Sequence, residues 1–220
     1  MNRTAVVLGA SGAVGGEVVR ALLDSPIWST VTTLGRRPLA LAPEEASRRL
    51  VQHVLDVSDP SSYESLLAGH SDAFCTLGVG EPSKMSKAEF RRIDFDFVLA
   101  FAEACYRQDV RHFTLLSAIG AHAKSSIFYL RSKGELEESI RALGFESVHL
   151  FRPSMILTPT NRYGVMQAIV LKVWPLLDFL LIGPLRKYRG VSVQDLGCSM
   201  VRHAERDEGH GARVFTWEDF

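Results

Sequence analysis

The stretch Thr4-Ala5-Val6-Val7-Leu8-Gly9-Ala10-Ser11-Gly12-Ala13-Val14-Gly15 decides the architecture. Its first five residues form a short apolar run with a β-branched core, stopped by a glycine, as in a strand buried on both faces. From Gly15 to Leu23 the spacing turns helical, with Val18, Val19, Leu22 and Leu23 on one face and Pro26 beyond the end. Between the two lies a GxxGxxG loop. Glycines permit a tight turn and close backbone approach. The helix start offers unpaired N–H groups and the positive end of its dipole to a phosphate. At the first β–α junction of an alternating chain, a phosphate site is favoured over a bare turn.

The alternation continues outward from this stretch. Val31–Leu34, Val51–Val57, Ala73–Leu77, His112–Leu116 and Ser147–Phe151 read as further strands. Tyr63–Leu67, Lys87–Tyr106 and Ile127–Leu143 read as helices between them. This order predicts an α/β fold: a doubly wound parallel (Rossmann) sheet of six to seven strands with helices on both faces. Residues 1–153 form the nucleotide-binding domain. Residues 154–220 are expected as a small C-terminal substrate or interface subdomain within the same compact unit, with a helix at Val191–Ala204 and a last strand at Val214–Trp217. The apolar stretch Gly164–Ile182 contains Lys172, Pro175 and Asp178, which are costly in a bilayer core. It is expected as a core or homodimer-contact helix kinked at Pro175, not a membrane span.

Composition narrows the function classes. Apolar residues make up 46% of the 220 and charged residues 23%, which suits a globular protein and excludes disorder or coiled coil as the main architecture. Lys+Arg and Asp+Glu both number 25, so no basic excess points to nucleic acid. The three cysteines, Cys75, Cys105 and Cys198, form no CxxC pair, and the seven histidines form no metal-spaced cluster, so neither disulfide framework nor metal is expected. Buried, reduced thiols suggest a reducing compartment. MNRTAVVLGASG enters the motif without a charged leader, apolar stretch and cleavage site. The expected location is the cytoplasm.

The end of the second strand specifies the ligand. An NAD-binding fold places an acid there, about 20 residues beyond the loop, on the ribose 2′-OH. Leu34-Gly35-Arg36-Arg37-Pro38 has two arginines instead. A guanidinium grips phosphate through a fixed, always-charged fork. Arg36 and Arg37 therefore suit the 2′-phosphate of NADP(H), with Gly9, Ala10, Ser11, Gly12, Ala13, Val14 and Gly15 cradling the pyrophosphate.

These pieces, with Asp56-Val57, Leu77-Gly78-Val79, Arg92-Ile93-Asp94, Leu115-Leu116-Ser117, Tyr129-Leu130-Arg131-Ser132-Lys133-Gly134-Glu135 and Phe151-Arg152-Pro153-Ser154, follow in a telling order. The chain resembles an atypical, extended short-chain dehydrogenase/reductase of the NAD(P)-binding, epimerase-like kind. In particular it is similar to the Tat-interacting protein type of small oxidoreductase. The resemblance implies that Asp56 and Val57 flank the adenine, that Leu77, Gly78 and Val79 line the cofactor path, and that Pro153 and Ser154 lie near the nicotinamide. It also implies Ser117, Tyr129 and Lys133 as the catalytic set. Tyr129 and Lys133 share a helix face at i, i+4. A tyrosine titrates near ~10. The lysine cation is expected to favour the phenolate and bring that value toward neutrality. Relatives often carry a second serine after Ser117. Here Ala118 stands there, with Ser125 and Ser126 as alternatives.

Two functions compete. One is an NADPH-dependent oxidoreductase acting on a small carbonyl or activated double bond. The other is a non-catalytic NADP(H)-binding regulator or scaffold. A nucleotide-sugar epimerase or dehydratase is disfavoured, because the chain after Pro153 is short for the substrate domain those enzymes carry.

Overall fold

The computed structural model describes residues 3–40, 48–79, 85–158, 181–206 and 209–220. The main sheet has seven strands, all parallel: β1 (Arg3–Leu8), β2 (Trp28–Gly35), β3 (Leu50–Val54), β4 (Asp72–Cys75), β5 (His112–Leu116), β6 (Ser147–Phe151) and β9 (Gly211–Phe215). Their spatial order is β3-β2-β1-β4-β5-β6-β9. The winding reverses between β1 and β4, and a doubly wound sheet opens its ligand crevice beyond the strand ends at that point. A second parallel pair joins β7 (Met155–Leu157) to β8 (Gly190–Ser192).

Burial on both faces explains the strand composition. Along β1, Val6 and Leu8 enter one core while Ala5 and Val7 enter the other. The helices divide the same way. On the first face pack α3 (Phe97–Arg107) and α4 (Phe128–Leu143), through Val98, Phe101, Leu136 and Ile140. On the second pack α1 (Ala13–Asp24) and α5 (Val193–Glu205), through Val18, Leu22, Leu196 and Met200. α1 and α5 touch closely: a Cβ on Gly197 would lie 2.6 Å from the Glu17 Cβ.

The expected elements are present, with local differences. The third strand stops at Val54, because the chain turns at Asp56 through two bonds from Ser58. The last strand spans Gly211–Phe215 rather than Val214–Trp217, because Thr216 and Asp219 cap a 3-10 turn there. The expected long helix is α2 (Lys87–Arg91), a π-turn (Arg92–Asp96) and α3 in succession. Among the described residues, the chain beyond 153 gives its last strand to the main sheet and α5 to the layer of α1. Within the stretch 164–182, residues 164–180 lie outside the described residues. Among those described, no helix is long and apolar enough to cross a membrane.

Candidate active site and its relatives

The glycine loop is a cradle that side chains would fill. Gly9 has φ +93°, and a Cβ there would lie 2.6 Å from the Leu77 nitrogen. A Cβ on Gly15 would overlap the Gly9 carbonyl oxygen. The Gly12 N–H donates to that same oxygen at 2.9 Å. Thr76, missed in the sequence, donates its hydroxyl to the Leu8 and Gly9 carbonyls at 3.3 and 3.2 Å, tying the loop to the end of β4. Gly12 caps α1 in extended conformation without a side-chain cap, and no acid occupies the first turn. The N-terminal N–H groups therefore suit an anion. A cavity of about 440 Å³ adjoins the loop, lined by Ser11, Gly12, Ala13, Arg20, Arg37 and Thr158 among others. These residues fit the phosphate-bearing half of a dinucleotide.

The other expected cofactor residues take distinct places. Arg37 lines the cavity, whereas Arg36 is exposed outside its lining. Asp56 is exposed, and its carboxylate titrates below the usual range because it accepts the Ser58 N–H and hydroxyl, with Arg36 and Arg92 helping from farther away. Val57 is buried in the core beside Tyr63 and Leu67. Leu77, Gly78 and Val79 follow β4 at the crevice. Pro153 is buried after β6 and accepts the Ile119 N–H at 2.9 Å, and half-buried Ser154 follows it.

The expected pair Tyr129 and Lys133 sits on α4. Lys133 is buried and its Nζ lies 2.8 Å from Asp94 Oδ1. The other carboxylate oxygen, Oδ2, accepts the Val79 N–H at 2.7 Å. Asp94 thus clamps the ammonium to the loop after β4 from inside the π-turn, a distortion frequent at functional sites. Burial alone would push the Lys133 ammonium down. Asp94, Tyr129 and Cys75 outweigh it and hold it above the ordinary lysine range. Tyr129 packs on Phe90 with ring centroids 5.6 Å apart.

The expectation that Lys133 draws the phenol toward neutrality is corrected. The Tyr129 phenol titrates above its ordinary value: burial raises it, Lys133 lowers it and Asp94 raises it again. Burial outweighs the pull of the lysine, and Asp94 offsets part of that pull. Asp94 had a sequence signal, an acid in the apolar stripe of Phe90, Val98 and Phe101. A buried acid at such a place needs a cation.

Ser117 stands in a different network. Its hydroxyl donates to Glu137 Oε1 at 2.5 Å, inside the protein. Glu137 also accepts Arg152 Nε on Oε1 at 2.9 Å and a second Arg152 nitrogen on Oε2. A serine has one proton to donate, and here a carboxylate takes it. The loop after Ser117 rests on α4: the His122 N–H donates to the Leu130 carbonyl at 3.1 Å, and a Cβ on Gly134 would overlap the His122 backbone. Arg131 ties the loop further through the Ser125 carbonyl at 2.7 Å. The described side chains form no cluster of three or more metal-ligating groups.

A family model described as NAD(P)H-binding matches residues 9–169, from the first loop glycine through α4 and β6. The chain belongs to the NAD(P)H-binding family. Within it, Protein HTATIP2 of Rattus norvegicus is 37% identical over 156 residues, covering 71% of this chain and 64% of that protein. The mitochondrial Protein FMP52 of Candida albicans is 32% identical over 155 residues, covering 69% of this chain and 66% of that protein. The match therefore spans just under two thirds of either relative's length. Among solved structures, MoeE5 in complex with UDP-glucose and NAD shares the fold, with a TM-score of 0.73 at 18% identity, covering 97% of this chain and 76% of that one. The family is thus NAD(P)H-binding, as the resemblance implied, and the fold is the one MoeE5 shares. The expected cytoplasmic location is overturned. Several fungal relatives are named as mitochondrial proteins.

Proposed function

We propose that this family member is an NADPH-dependent oxidoreductase of the short-chain dehydrogenase/reductase type that acts on a small carbonyl or related substrate. The observation that carries this reading is the buried Lys133–Asp94 pair beneath Tyr129, tied through Val79 to the crevice that begins at the glycine cradle. In the proposal, Gly9–Gly15 hold the pyrophosphate, Arg36 and Arg37 read the 2′-phosphate, and Asp56 and Val57 flank the adenine. Leu77–Val79, Pro153, Ser154 and Lys133 border the nicotinamide end. The bound nicotinamide supplies hydride.

The chain's own residues handle the proton. Tyr129 holds it on the phenol oxygen and passes it to the substrate oxygen. The Lys133 ammonium stabilises the phenolate left behind, and Asp94 fixes the ammonium in place. Ser117 contributes orientation: its hydroxyl donates its proton in a hydrogen bond to Glu137, so it acts as a brace beside α4. The names of the fungal relatives support a mitochondrial setting.

The test is a carbonyl-substrate screen followed by NADPH absorbance, run on the unsubstituted protein and on Tyr129→Phe. The substitution removes only the hydroxyl. Turnover is expected to fall roughly 10²–10⁴-fold, the range for a lost general acid, with NADPH affinity by calorimetry little changed. Because the Tyr129 phenol titrates above its ordinary range, it keeps its proton as pH rises, so reduction is expected to stay flat from neutral pH past about 10. Unaltered turnover in Tyr129→Phe would remove the residue from the chemistry.

A further inference from the structure

Gly16 stands just outside the GxxGxxG spacing, next to the Arg20 side chain. Helical side chains lean toward the N-terminus of their helix. Arg20 follows that lean. Its Nη1 comes within 3.5 Å of where a Gly16 Cβ would be, as does Leu39 Cδ1 from the other side. The guanidinium thus folds back over Gly16, in ordinary contact range, to within one turn of Ala13, where α1 begins. There Arg20 lines the same cavity as Ser11, Gly12 and Arg37. Glu17, the single acid among the described lining residues, holds Arg20 Nη1 at 3.0 Å. Its own backbone is backed by Gly197 of α5.

A phosphate monoester carries nearly two negative charges at neutral pH. Arg37 supplies one positive charge and Arg20, from α1, a second. We propose that Arg20 is a specificity-determining residue that joins Arg37 on the 2′-phosphate of the adenosine, with Glu17 presenting it and competing for it. This rests on the NADPH reading above. It extends that reading to a residue on α1 that neither the glycine loop nor the end of β2 contains.

Calorimetry with two fragments tests it without turnover. Adenosine 2′,5′-bisphosphate and adenosine 5′-phosphate differ only in the group at issue, so the ratio of their affinities isolates it. Arg20→Gln is expected to reduce that ratio about tenfold, the scale of a lost charge-assisted contact, with 5′-phosphate affinity unchanged. Glu17→Gln is expected to raise it. Arg20 is partly exposed, so its substitution should leave the thermal midpoint close to that of the unsubstituted protein. An unchanged ratio in Arg20→Gln together with a collapsed one in Arg37→Gln overturns the role of Arg20 and leaves the NADPH reading standing. No preference between the fragments in the unsubstituted protein overturns both.

Discussion

Replacing Asp94 by Asn tests the centre of the site through stability alone. Asp94 and Lys133 are both almost fully buried, so solvent screens their ion pair little. The substitution keeps the shape and removes the counter-charge, leaving a buried ammonium facing an amide. Breaking one side of a buried pair costs about 3–5 kcal/mol. In a chain of this size each kcal/mol moves the midpoint by about 2–4 °C, so the expected drop is roughly 6–20 °C. The pH dependence gives a second signature. In the native protein, Lys133 titrates above its unfolded value. Its contribution is therefore complete below the ordinary lysine range, near ~10.4, and is lost only at still higher pH. In Asp94→Asn the buried ammonium has lost its partner and its value falls below the unfolded one. The unfolded chain then binds more protons, and stability rises with pH between neutrality and about 10. Urea melts across this range read both effects. Adding Lys133→Met to Asp94→Asn is expected to recover much of the loss, since no unpaired charge remains. A loss under about 1 kcal/mol, the value of an exposed pair, with no rise toward alkaline pH would refute the clamp.

Two further substitutions probe the rest of the site. Gly15→Ala drives a Cβ into the Gly9 carbonyl oxygen and is expected to weaken NADPH binding at least about tenfold, as losing a charge-assisted contact would; unchanged affinity by calorimetry would contradict the cradle. Ser117→Ala removes a hydroxyl bonded to the Glu137 carboxylate and is expected to cost about 1.5–3 kcal/mol in denaturant melts. Its turnover should stay well above the 10²–10⁴-fold loss, roughly, that removal of a proton-transfer group brings, and a loss of that size would return Ser117 to the chemistry.

The sequence by itself determined the order of the layers and the place of the site. The switch between period-2 and period-3.6 patterns is a local property, so β1, β5 and β6 and the helices between them were legible residue by residue. The glycine loop was equally legible, because a turn that excludes Cβ atoms needs glycine at fixed offsets. Tyr129 and Lys133 share a face by helix geometry alone. What each polar group is paired with depended on chains that meet only after folding. Asp94 meets Lys133 across 39 positions of sequence and Glu137 accepts the Ser117 hydrogen bond across 20. No local pattern states either pairing, and each changes the chemistry: the first offsets part of the pull of Lys133 on the buried Tyr129 phenol, and the second engages a donor. The same holds for Arg20, which reads in sequence as an exposed helix cation. The lean of its side chain along α1 and its ion pair with Glu17 bring it to the cavity. Electrostatics in a low-dielectric interior is set by distance and burial, and those belong to the tertiary structure.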